Sequence, residues 1–239
     1  MVGVARVHGA RRGSGAARLD LSALVGTLIG VLDLILPLEC GGCGAPSVRW
    51  CAACTAALVV HADEPHVIVP RIDPGVPVFA LGRYAGVRRN AIVALKERGR
   101  RDLAAPLSIA LAAGLDRLLN WGVLGAPLTV VPAPTRRSAA RRRGGDPVAA
   151  MARAATSARP AISVAPVLRT TWGVRDSVGL NSVARQRNIA GRVRVSAAPP
   201  GEVLVVDDIV TTGATAREAV RVLAEAGAQV AAVLALAQA

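Results

Sequence analysis

The chain has 239 residues, 52% of them hydrophobic, which suits one α/β core plus a small accessory unit and excludes a disordered polymer. Aromatic residues make up only 2%, so Val, Leu, Ile and Ala must fill the core, as in a parallel sheet covered by Ala-rich helices. The net charge is +13 and all but one of the basic residues is Arg, a balance that favours polyanions, either nucleic acid or a phosphate-rich small molecule.

Residues 1–18 are rich in Gly, Ala and Arg without a period, and are expected to form a disordered tail. Residues 19–60 are expected to hold an N-terminal helix and a cysteine unit. The apolar stretch Leu21 to Leu38 follows an Arg-rich start, as an export signal would. Asp33 and Pro37 interrupt it, and no small-residue cleavage site follows. It is read as a packed helix, with no membrane span and a cytoplasmic location.

All four cysteines lie between Cys40 and Cys54. They form C-x2-C, a gap of seven residues, and a second C-x2-C. Each pair places two thiolates on one tight turn, and two such turns supply four sulfurs for a tetrahedral Zn²⁺ site. Cys40, Cys43, Cys51 and Cys54 are therefore the candidate structural zinc ligands. The alternative is two disulfides in an exported domain. His61 and His66 lie nearby in a Pro- and Asp-rich segment, 61–77, that reads as a linker.

From Val78 to the end at residue 239, strand-like and helical stretches alternate. "VFALGRY" reads as a strand, "AIVALKERG" and "LAAPLSIALAAGLDRLLNWG" as helices, and "APLTVVPAP" as a strand stopped by prolines. "RRSAARRRGGDPVAAMARAAT" opens as an Arg-rich loop and closes as a helix. "APVLRTT" is a possible strand and "GLNSVARQRNIAG" is helical in pattern. "GEVLVV" is a strand, "AREAVRVLAEAG" a helix, and "AQVAAVLALAQ" the last strand. The alternation predicts an α/β fold, a parallel sheet with helices on both faces.

"VLVVDD" lacks alternation, so both faces of its strand should be buried, with Asp207 and Asp208 at the C-terminal end. That edge of an open α/β sheet is where ligands bind. Thr211, Thr212, Gly213, Ala214 and Thr215 then form a turn into a helix, whose free N–H groups and hydroxyls suit an anion. The acids repel phosphate, but they accept hydrogen bonds from a diol or hold hydrated Mg²⁺. A phosphate loop beside two acids describes a ribose 5-phosphate site. The alternative is ordinary cap and turn chemistry.

"VLVVDDIVTTGAT" resembles the signature of type I phosphoribosyltransferases that binds 5-phosphoribosyl 1-diphosphate (PRPP). The cysteine knuckles, "YAGVRRNAIVALKERG", "VPAPTRRSAARRRGGDP" and "RDSVGLNSVARQRNIAG" further resemble the ComF family of competence-associated phosphoribosyltransferase-like proteins, over nearly the whole chain from about Leu21. The resemblance implies a type I phosphoribosyltransferase-like domain over 78–239. It implies that Asp207 and Asp208 bind the ribose hydroxyls and that Thr211 to Thr215 hold the 5-phosphate. The loop Val131 to Arg137 would meet pyrophosphate. Tyr84, Gly86 and Lys96 match a family pattern of less certain role.

Phosphoribosyl transfer displaces Mg-pyrophosphate from C1 of PRPP, and catalysis comes mostly from positioning and charge stabilisation. Arg136, Arg137 and Arg141, with Lys96, are the candidates to meet pyrophosphate or another polyanion, because guanidinium groups grip phosphate oxygens in a fork. A solvated basic face is the other reading of this Arg run. No acceptor pocket can be read; Trp172, Tyr84 and Phe79 are the nearest aromatic platforms. Two departures stand out. The family's R-G-F-N-Q is Arg143, Gly144, Gly145, Asp146, Pro147 here, and a Gln before "GL" is Ser177. The competence association implies a second role, a PRPP-responsive protein handling single-stranded DNA or the DNA-uptake machinery. Scarce aromatics count against base stacking.

Overall fold

The structure, a computed structural model, describes residues 38–135, 145–170 and 191–239. The N-terminal tail and apolar stretch, Arg136, Arg137, Arg141, Arg143, Trp172, Ser177 and the "GLNSVARQRNIA" segment lie outside the described residues. Glu39–Ala239 forms one compact unit. Its elements are α1 (Ala52–Ala57), β1 (His66–Ile68), β2 (Val78–Ala80), α2 (Gly86–Glu97), a 3-10 turn (Arg101–Leu103), α3 (Ala104–Asn120), β3 (Leu128–Pro132), α4 (Pro147–Thr156), β4 (Ile162–Val164), β5 (Leu168–Thr170), β6 (Val193–Val195), β7 (Glu202–Val210), α5 (Ala214–Glu225) and β8 (Gln229–Gln238).

Six strands form one sheet in the order β1-β2-β8-β7-β3-β4. Only β1 runs antiparallel; the other pairings are parallel. β5 and β6 pair as a separate antiparallel ribbon. The fold is thus α/β with a mostly parallel sheet, as the alternation of elements predicts.

Period-two alternation along β7 sends Leu204 and Val206 to one face and Val203 and Val205 to the other. The first pair packs with Leu111 and Leu115 of α3 and Met151 of α4. The second packs with Ala219, Val220 and Leu223 of α5 and with Leu168 and Val193 of the ribbon. Both faces are therefore covered, which is why β7 reads as an unbroken apolar run. Each such Leu or Val stabilises the fold by roughly 1.5–3 kcal/mol through burial. An ion pair from Arg159 to Asp116 also ties α4 to α3.

Three departures from the sequence expectation have simple causes. The 61–77 segment, read as a linker, contributes β1, whose register pairs His66 with Ala80 and Ile68 with Val78. "APVLRTT" does contain a strand, β5, but it serves the ribbon; the sheet takes Ile162–Val164 just before it. β7 does not stop at the acids but runs on to Val210, held by β8 through Val210↔Gln238. The "GGDP" stretch has a local structural role. Asp146 caps α4 by accepting from Val148 N at 2.9 Å and Ala149 N at 3.2 Å, and Pro147 opens the helix.

Candidate functional site

β3 and β7 diverge in their onward connections. β3 leads through α4 to β4 on one side, and β7 leads through α5 to β8 on the other. The strand order reverses between them, and a crevice at the C-terminal ends of such a pair is where open α/β sheets bind ligands. β3 stops first. Its last partner pair is Pro132↔Val206, followed by Ala133 N donating to Val206 O at 2.7 Å. Pro132 and Pro134 lack N–H groups and end the ladder. Asp207 and Asp208 are the next residues of β7 after that last pair.

The two acids are neighbours whose carboxyls interact with each other, yet each meets a different further partner. Asp207 lines a small cleft of about 20 Å³ with Val210, Thr211, Thr212, Gly213 and Thr215. Asp208 is buried, and Lys96 Nζ lies 2.6 Å from its Oδ2. The structure therefore brings Asp207 together with the Thr/Gly turn, and Asp208 together with Lys96. Burial pushes the Asp207 carboxyl well above the usual carboxylate range, and the neighbouring Asp208 charge adds to the rise. Lys96 and the Asp208 N–H, which donates to Asp207 Oδ1 at 2.8 Å, pull it partly back.

Gly213, not Asp207, is the N-cap of α5, so the acids are not helix caps. Its φ of +85° is left-handed, and the preceding Thr212 supplies the cap, its Oγ1 accepting from Ala214 N at 3.4 Å. Beyond Ala214, the first turn of α5 lines the cleft with Thr215 and Ala216, at the positive end of the helix dipole. The segment before β2 straps this turn. Ile72 N donates to Thr212 O at 2.9 Å, and a Cβ on Gly213 would overlap Ile72 O and sit 2.8 Å from Pro70 Cβ. Gly213→Ala should therefore cost about 2 kcal/mol of stability and displace the strap. A thermal melt checks this, and an unchanged midpoint would show that the turn tolerates a side chain.

Of the other residues anticipated from sequence, Gly86 starts α2 and Tyr84 lies half-buried under Arg89, whose guanidinium sits 5.8 Å from the ring centroid. Phe79 is a core residue and offers no stacking face. Arg88 was not anticipated. It is buried on α2 and donates from Nη1 to Leu236 O at 3.3 Å.

The four cysteines converge as their spacing predicts. Their Sγ atoms all lie within 4.8 Å of one another, with 3.6 Å for both Cys40–Cys54 and Cys43–Cys51, and the thiols are free. Four sulfurs at about 2.3 Å from a tetrahedral zinc would be about 3.8 Å apart, so this set can hold one structural metal ion such as zinc. The surrounding backbone favours thiolate. Cys51 N donates to Cys40 Sγ and Cys54 N to Cys51 Sγ, each at 3.4 Å. Burial pushes the Cys40 thiol up, but the N–H groups of Cys43, Gly42 and Cys51 and the Cys54 thiol outweigh it and bring it to about 6. Cys54, the most buried of the four, is pushed up by burial and by its sulfur neighbours. His61 and His66 are exposed and take no part in the cluster.

No family model and no curated protein matches the chain. Among the described residues no helix is long and apolar enough to cross a membrane.

Proposed function

We propose that the chain binds PRPP with Mg²⁺ and transfers its phosphoribosyl group to an acceptor, releasing pyrophosphate. The observation that carries this reading is a single cleft, at the C-terminal end of β7, lined by Asp207 and the Thr211–Thr215 turn. A carboxylic acid and an anion-binding turn a few residues apart match a sugar diol and its 5-phosphate. The sequence resemblance to type I phosphoribosyltransferases points the same way.

In this reading the first-turn N–H groups of α5, with the Thr211, Thr212 and Thr215 hydroxyls, hold the 5-phosphate. Asp207 takes the ribose hydroxyls. Its raised affinity for a proton lets it accept or donate there. Lys96 offsets the charge of Asp208, which would otherwise repel the phosphate groups nearby. Arg136 and Arg137, which follow Thr135 in the sequence, are the candidates to meet pyrophosphate. Mg²⁺ arriving with PRPP would neutralise part of the diphosphate charge. The residues' task is to position C1 and to stabilise the departing pyrophosphate.

Pyrophosphate release from PRPP, measured with metal-loaded protein across a panel of nucleobases with and without single-stranded DNA, tests this directly. Release with one base names the acceptor class. Binding of PRPP without release under any condition would leave a PRPP-responsive binding protein. Absence of binding to both PRPP and ribose 5-phosphate would overturn the site.

A further inference from the structure

The cysteine unit is seated on the helix that carries Lys96, and it grips that helix at both ends. Near its start, Asn90 Nδ2 donates to Gly42 O at 2.7 Å. Gly42 is pressed against the same helix: a Cβ there would lie 2.9 Å from Val87 Cγ1 and 2.6 Å from Cys54 Sγ. Just past its end, Arg100 reaches back to the knuckles. Its Nη1 donates to Glu39 O at 2.9 Å and its Nη2 to Arg49 O at 3.1 Å. Those two carbonyls bracket the first knuckle, since Glu39 precedes Cys40 and the Arg49 carbonyl also receives Gly41 N at 3.1 Å. Asp102 holds the Arg100 fork in place at 2.9 and 2.7 Å. Lys96 lies between Asn90 and Arg100 in the chain and meets Asp208 at 2.6 Å.

A small cysteine unit owes its fold to the metal it binds. Its docking oxygens, Gly42 O and Glu39 O, belong to the loop that the metal would order. We infer that Asn90 and Arg100 are positioning residues, through which a metal ion on Cys40, Cys43, Cys51 and Cys54 fixes α2 and so sets Lys96 against Asp208. The metal then acts on the ligand cleft without touching it. The link to ligand affinity rests on the phosphoribosyl reading of the cleft; the link from metal to α2 does not.

The test uses full-length, metal-loaded protein and the Asn90→Ala/Arg100→Met variant, each with and without Lys96→Met. Three quantities are measured: metal content, hydrogen-exchange protection of residues 86–100, and affinity for ribose 5-phosphate. The double variant should keep one metal per chain and keep protection in β7 and β8. Protection over 86–100 should drop, and ribose 5-phosphate should bind about tenfold more weakly, the scale of one charge-assisted hydrogen bond. With Lys96→Met already present, the double variant should weaken binding no further. A purely structural role would weaken binding equally in both backgrounds, which would overturn the inference. So would unchanged protection over 86–100 in the double variant, or in parent protein stripped by a chelator. If the parent fails to bind ribose 5-phosphate, the phosphoribosyl reading falls, and the protection measurements still decide whether the cysteine unit holds α2.

Discussion

Cys54→Ser should release the bound metal and unfold the segment from Cys40 to Cys54. Cys54 is 1% exposed, and its Sγ lies against Cys40 Sγ. A serine oxygen there cannot complete a four-sulfur shell. Structural zinc binding is worth on the order of 10 kcal/mol of apparent free energy, and in a unit this small that energy is folding energy. Elemental analysis of protein purified without added metal should give one zinc per parent chain and none per variant. Hydrogen exchange should then show the knuckles opened in the variant. Two disulfides and no metal in the parent would refute this, and would reopen the exported-domain reading of the cysteines.

Replacing both Asp207 and Asp208 by Asn should weaken PRPP binding by a few kcal/mol, the scale of charge-assisted hydrogen bonds. Because only Asp208 forms the ion pair with Lys96, the single variants should differ in stability. Asp208→Asn removes the 2.6 Å ion pair with Lys96 and should destabilise by about 1 kcal/mol, a value kept small because the lysine is partly exposed. Asp207→Asn should do the reverse at neutral pH. The folded protein holds the Asp207 proton more tightly than the unfolded chain, whose carboxyl titrates near 3.8. Below that pH the group is protonated in both states and the substitution changes little. As pH rises through the window up to the elevated folded value, the parent loses stability while the Asn variant does not. Urea unfolding at pH 4 and pH 8 checks the sign. Parallel curves for parent and Asp207→Asn would show that the carboxyl is ionised in the folded protein. Calorimetry of the double variant with Mg-PRPP checks the binding loss, and affinity equal to the parent would remove the acids from the site.

The cysteine spacing and the "VLVVDDIVTTG" run were legible because each is a local pattern with one good physical solution. Paired C-x2-C turns converge on a metal, and an apolar run followed by acids and a Thr/Gly turn is a buried strand feeding a helix. β1 was not legible because the prolines and acids around it read as a linker, and β4 and β6 carried no strand signal of their own. The division of the two acids was also hidden. Adjacent residues look equivalent in sequence, but only Asp208 meets Lys96, and the early stop of β3 is written in a different segment. Lys96 was noticed as a cation for pyrophosphate. Its pairing with Asp208 depends on where α2 lies across the sheet, which no local pattern encodes. Asn90 and Arg100 carried no signal because their partners are backbone carbonyls.

The position of β8 bears on how the molecule assembles. Its ten residues lie inside the sheet, with β2 on one side and β7 on the other, through Val78↔Val233 and Val205↔Val233. The sheet's two halves, β1–β2 and β7–β3–β4, meet only through it. Contacts between segments this distant in sequence give a high contact order, and chains of that kind fold slowly because long loops must close first. A chain cut before Gln229 would leave β2 and β7 with one bare edge each, both lined by apolar residues. Such a fragment should aggregate and not persist as a smaller domain.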